Sequence, residues 1–228
     1  MEAVDVSGLH PSFAATVLLC ASRKGQPMSG IGPVTRDIAQ GRDLLGASAL
    51  VESNNASVHL SGPDDHLRLV LQRGETVLTV LPRDVLPTMT PDVWPTLHLD
   101  GQARDGWWVS EHDVVDALIA LANVPFPTAT VVLSGRRHWR AEELLHEANM
   151  LNRRWEAGIE GNFSVDVLAE PQRPLVRVQP VTFDEKEPDF ALLHELMLAH
   201  QSEGWRPQMT VREALMHHFA LLDALNRP

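Results

Sequence analysis

A chain of 228 residues with 44% hydrophobic content is long enough to bury a substantial core, which excludes disorder along most of its length. Its 19 Lys and Arg against 30 Asp and Glu give a formal charge of -11, which excludes the basic face that a nucleic acid or an anionic membrane would require. One cysteine permits no internal disulfide, and the absence of tyrosine removes every mechanism that uses a phenol as acid or base.

The first ten residues are polar and unpatterned, with acid where a secretory signal would carry base, so the expected compartment is the cytoplasm. Residues 13–22, rich in Leu, Val and Thr, predict a short buried strand holding Cys20 as an inert thiol. A loop rich in Gly and Pro follows to residue 33, and Gly41 and Gly46 break any helix between 34 and 53. Residues 57–60 predict a second strand, closed by the turn Ser61-Gly62-Pro63-Asp64-Asp65. A helical stretch is expected near 66–72, ending at Gly74, and residues 76–81 alternate as a strand. Four prolines between Pro82 and Pro95 mark an irregular loop.

The second half has stronger signals. Ser110 precedes a stripe of Val114, Val115, Leu118, Ile119 and Ala122 at helical spacing, with Asp113 in the position of a capping box. Pro125-Phe126-Pro127 stops that helix, and residues 128–133 read as a buried strand. Residues 140–155 are an amphipathic helix with Leu144, Leu145, Ala148 and Leu151 inward. Strands are expected at 163–168 and 175–182. A helix follows at 189–200, and another is opened by Thr210 with Glu213 as its capping box. The longest apolar runs, 14–21 and 114–122, fall short of the roughly 20 residues that span a bilayer, so no membrane insertion is expected. The alternation of strand and helix points to an α/β protein with some parallel sheet.

The segment from Asp100-Gly101 through Arg104-Asp105 and Val109 to Asp113-Val114-Val115-Asp116-Ala117-Leu118 resembles the extended short-chain dehydrogenase/reductases, the NAD-dependent sugar-nucleotide epimerases and dehydratases. Three further stretches are similar to that family: Val131-Val132-Leu133-Ser134-Gly135-Arg136, the closing Gly204-Trp205-Arg206-Pro207 with its helix, and Leu60-Ser61-Gly62-Pro63 in place of a Val-Tyr-Gly-Pro turn. The resemblance covers about residues 14–226. It implies an α/β fold: a partial Rossmann-like parallel sheet, the back half of the family's fold, with a small substrate-side α/β subdomain. Within a single domain spanning 1–228, residues 12–62 and 128–135 correspond to the sheet remnant, and 63–127 and 136–228 to the substrate side.

Departures from the family are concentrated in its chemistry. The strand at 16–22 aligns with the one that carries the family's catalytic Ser or Thr, so the Gly-rich opening that holds the cofactor pyrophosphate is missing. Gly30-Ile31-Gly32 is followed by Pro33, which reads as a loop. The family's tyrosine and lysine fall on Leu45 and Ala49, and neither side chain moves a proton. Among other constellations, His194 and His200 are six apart, about 240° around a helix, so they do not share a metal-binding face. His217 and His218 read as one surface and one half-buried imidazole.

What the resemblance implies for binding is an arginine at Arg104 that contacts a sugar-nucleotide diphosphate. Trp107 and Trp108, adjacent on a strand, face opposite sides, one for the core and one able to stack on a base. His59, Arg136 and Arg137 join this substrate-binding set at the carboxyl ends of the sheet. These features together describe a non-catalytic pseudoenzyme, a binding or scaffolding subunit with no cofactor and no metal. A protein partner or self-association covers its incomplete sheet, and a nucleotide sugar is a candidate ligand. The alternatives are an NAD- or NADP-dependent epimerase, dehydratase or reductase that uses another acid such as His59 or Glu52, and a nucleotide-sugar sensor without turnover.

Overall fold

Period-two alternation governs the opening: in Ala3–Gly8, strand β1, Val4 and Val6 are buried while Asp5 and Ser7 face away from the core. The structure is a computed structural model describing residues 2–42, 52–53, 55–62, 68–90, 105–161, 165 and 187–226. The chain turns from β1 into helix α1, Pro11–Arg23, with proline in the first turn, where its missing N–H costs nothing. Residues 13–22 are therefore helix and not the expected strand. Every residue from Ser12 to Ala21 is buried, so no polar face reveals the 3.6 period, and an all-apolar run reads equally as strand or helix. The strand–turn–helix opening that the sequence did not show is thus present.

β2 (Met28–Ser29) leads to α2 (Pro33–Arg42), which lies against α1. The Arg42 guanidinium donates to the Ser12 carbonyl at 2.8 Å, the Ser12 hydroxyl at 2.7 Å and the Thr16 hydroxyl at 3.0 Å. Three strands follow: β3 (Ala56–Ser61), β4 (Leu69–Arg73) and β5 (Thr76–Pro82). β4 replaces the helix expected at 66–72. Leu69 and Leu71 are fully buried with Gln72 outward, and pairing along both neighbours imposes the extended backbone.

The remaining elements are β6 (Val85–Leu86), β7 (Val109–Ser110), α3 (Glu111–Ala122), β8 (Ala129–Leu133), α4 (Ala141–Glu160), α5 (Ala191–Leu198) and α6 (Val211–Asn226). Arg73 closes the end of α3 by donating to the carbonyls of Ala122 and Val124, at 2.7 and 2.9 Å, groups that a helix C-terminus leaves unpaired. Of the strand expected at 163–168 only Val165 is described, and it is helical and exposed; residues 175–182 lie outside the described residues.

The six-stranded sheet has the order β2-β1-β3-β4-β5-β8. Only β4 is antiparallel to its neighbours, so the other five strands run one way and the protein is α/β with a mostly parallel sheet. The sheet draws on residues 3–82 and 129–133, a wider span than 12–62 and 128–135. One face, with Val4, Val58, Leu60, Leu71, Leu78 and Val131, packs on α1 and α3. A second core joins Leu86 and Trp108 to Leu144 and Leu151 of α4 and Leu215 and Phe219 of α6. β6 and β7 form their own parallel pair between these cores. Among the described residues no helix is long and apolar enough to cross a membrane.

Candidate functional site

The first turn of α3 gathers three segments of the chain. Ser110 caps it, its hydroxyl accepting from the Asp113 N–H at 3.0 Å and donating to the Asp113 carboxylate at 2.7 Å. Asp113 also accepts from the N–H groups of Gln208 and Met209, at 2.7 and 3.2 Å, so it anchors the chain just before α6. Burial raises the Asp113 pKa, against these hydrogen bonds, which favour the carboxylate. Glu111 is fully buried and accepts from the N–H groups of Thr88, Met89 and Thr90 at 2.9, 2.8 and 3.1 Å, and from the Thr90 hydroxyl. Asp84, held at φ 51°, accepts from the Trp107 N–H at 2.8 Å, and Asp105 accepts from the Ala141 N–H at 2.8 Å where α4 begins.

Around Gly135, at the carboxyl end of β8, four tryptophans converge. The Gly135 N–H donates to the Trp107 carbonyl at 2.8 Å, and Trp139 exchanges two backbone hydrogen bonds with Gly106. The Trp205 indole donates to the Ser134 carbonyl at 3.1 Å. Trp107 and Trp108 are each 7% exposed, so both indoles are core and neither offers a broad stacking face. They lie just before β7, where irregular backbone releases them from strict alternation. Trp107 meets the exposed His138 ring at 4.6 Å between centroids. Arg136 is exposed and reaches the Trp205 carbonyl at 3.5 Å, while Arg137 lies over the Trp139 ring and within 3.7 Å of Glu143.

The structure thus brings Trp107, Trp108 and Arg136 together. His59 stands apart on β3, three strand spacings or about 14 Å from β8. It pairs with Asp5 at 3.4 Å. Burial would raise the Asp5 pKa, but hydrogen bonds from Ser7 and the His59 charge outweigh it and hold the carboxyl below its usual value. Arg104, Leu45 and Ala49 lie outside the described residues. At the carboxyl ends of β1 and β3, where strand order reverses and open α/β sheets commonly bind ligands, the two strands stay paired. The Gly62 N–H donates to the Gly8 carbonyl at 3.1 Å, and a Cβ at Gly8 would stand 2.6 Å from that of Ser61.

Two groups escaped the sequence reading. Cys20, on α1, lies 3.8 Å from Nδ1 of His112, whose Nε2 is 3.9 Å from Asp116 one turn along α3; Lys24 pairs with Asp116 at 2.7 Å. Burial, and then the Asp116 charge, push the Cys20 thiol up to about 12. Cys20 and His112 are 92 positions apart, and only the i, i+4 spacing of His112 and Asp116 hinted at a shared face. The second is His218, fully buried where a half-buried ring was expected. Its Nδ1 donates to the Pro87 carbonyl at 2.9 Å, and its Nε2 has no hydrogen-bond partner among the described residues.

Burial lowers the His218 pKa below the ordinary histidine value of 6.5. Below about 6.5 the unfolded chain takes up a proton that the folded one refuses, so this residue's contribution to stability is present above that pH and is lost as pH falls toward the folded value. Denaturant titrations at pH 7.5 and 5.5 should show a smaller loss on acidification for His218→Gln than for wild type; equal losses would remove His218 as the cause. Asp113 acts in the opposite sense over its own range above 3.8, which makes the difference between variant and wild type the informative quantity.

No family model, curated protein or solved structure matches the chain.

Proposed function

We propose that the chain is a non-catalytic protein of the epimerase/dehydratase type that works as a binding or scaffolding subunit. The observation that carries this reading is how four acids between residues 84 and 113 are used. Glu111, Asp113, Asp84 and Asp105 all accept backbone N–H groups of other segments, so they hold loops in place and do not face a reacting atom.

The opening of the chain supports the same view for a new reason. Its strand–turn–helix start is complete, but Gly8, the one glycine of that turn, sits against Ser61, and Pro11 removes an N–H from the helix end that would face a pyrophosphate. On the binding side, β8 is the last of the described strands of the sheet, with the apolar sequence Ala129-Thr130-Val131-Val132-Leu133, and an edge of that kind needs covering. A groove of about 240 Å³ between α4 and α6, lined by Leu151, Trp155, Met216 and Phe219 with Arg154 and Arg212, adds apolar surface. Calorimetric titration of the full chain with NAD and NADP should show no saturable binding in the micromolar range. Micromolar, stoichiometric binding of either dinucleotide would overturn the reading.

A further inference from the structure

We propose that Cys20, His112 and Asp116 form a site for one transition-metal ion of the zinc class, joining α1 to α3. One donor atom from each residue, Sγ, an imidazole nitrogen and a carboxylate oxygen, lies within 4.8 Å of the other two. Tetrahedral zinc, with bonds of about 2.3 Å to sulfur and 2.0–2.2 Å to nitrogen and oxygen, sets its donors about 3.3–3.6 Å apart. The separation of 3.8 Å between Cys20 Sγ and His112 Nδ1 is within a few tenths of an ångström of that; the Asp116 carboxylate, which lies 3.9 Å from Nε2 in a set of donors spread over up to 4.8 Å, has to rotate toward the shared ion to complete the site.

The donor set selects the metal. A thiolate with an imidazole favours a borderline-soft ion, whereas magnesium and calcium take oxygen ligands. His112 and Asp116 are one turn apart on α3 and so project from one face toward Cys20. The Lys24 ammonium lies 2.7 Å from Oδ1 of Asp116 and leaves Oδ2 on the His112 side, an outer contact that orients a ligating carboxylate. The His112 and Asp116 side chains are 35% and 28% exposed above the buried sulfur, so an ion enters over them and its fourth position faces water. Binding replaces the S–H bond of Cys20 by an S–metal bond and releases one proton to solvent. This inference is independent of whether the protein turns over a substrate.

Co²⁺ is the probe. The full chain, freed of metal by dialysis against a chelator, is titrated with Co²⁺ at neutral pH and then with Zn²⁺. The expected result is one equivalent bound with a thiolate-to-cobalt charge-transfer band in the near ultraviolet, discharged by zinc. Because the chain has a single cysteine, that band can come only from Cys20. Cys20→Ser should abolish the band, and His112→Gln, at a partly exposed position that the fold tolerates, should weaken Co²⁺ binding at least tenfold. Zinc should also raise the midpoint of thermal unfolding of the wild type but not of His112→Gln. A wild-type titration without the sulfur band, or His112→Gln binding as tightly as wild type, would overturn the proposal.

Discussion

Glu111→Ala should destabilise the protein by about 3–5 kcal/mol, because removing one partner of a buried charged contact leaves the others stranded. Three backbone N–H groups, those of Thr88, Met89 and Thr90, converge on this one carboxylate from within a fully buried setting. Each buried N–H left without an acceptor costs about 1–3 kcal/mol, partly recovered where the loop relaxes toward water. Glu111→Gln should lose less, about 1–2 kcal/mol, since its amide oxygen can still accept the three N–H groups and its amide N–H₂ can donate to the Thr90 hydroxyl, with only the charge lost. At about 2–4 °C per kcal/mol for a chain of this size, the alanine variant should melt some 10 °C lower. Denaturant unfolding of both variants checks the order. An alanine variant within about 0.5 kcal/mol of wild type would show that the 88–90 loop does not depend on Glu111.

That carboxylate shows where the sequence was readable and where it stopped. Ser110 with Asp113, and Thr210 with Glu213, announced the starts of α3 and α6, because a capping box is a local contact within four residues. β5 and β8 were legible as short apolar runs bounded by turns. Glu111 looked like any surface glutamate at a helix start, because its partners lie more than 20 positions away. The same distance hid the Cys20 cluster. α1 failed for another reason: with sheet below it and α2 and α3 beside it, every side is buried, and the periodic signal of a half-exposed helix vanishes. β1 is so short that Val4 and Val6 alone carry its alternation, and β4 has only Leu69 and Leu71. Of the residues proposed to bind a ligand, Arg136 stands exposed at the end of β8. Trp107 and Trp108 show how adjacency misleads where the backbone is not a regular strand.

Gly135→Ala is the second change with a large expected effect. A Cβ there would overlap the Trp108 carbonyl oxygen and stand 3.0 Å from the Trp108 carbonyl carbon and 3.2 Å from the Trp107 oxygen. The obstructing atoms are backbone, so no rotamer change relieves them. The 107–108 segment must move away from β8, breaking the Gly135 N–H bond to Trp107 and disturbing Trp108 in the second core. Overpacking of this kind costs about 1–3 kcal/mol, and the lost buried hydrogen bond adds about 1 kcal/mol. Gly41→Ala on α2, where a Cβ meets no described residue within 4 Å, should be neutral or slightly stabilising and serves as the control. A Gly135→Ala protein as stable as the control would mean that the approach of the two chains here is looser than described.

The gathering of Trp107, Trp108, Trp139 and Trp205 about Gly135 also decides what an optical experiment on this protein sees. All six tryptophans lie between residues 94 and 205 and there is no tyrosine, so the tryptophan emission of the chain arises wholly from that stretch. The strands β1 to β5 and the helices α1 and α2 contribute neither tryptophan nor tyrosine. Emission therefore follows the loops around β8 and the seam between α4 and α6, and it has no chromophore in the parallel strands at the other end of the sheet. An unfolding curve or ligand titration read by fluorescence is a local measurement of that region, and events among β1, α1 and β3 must be followed by backbone circular dichroism or by heat.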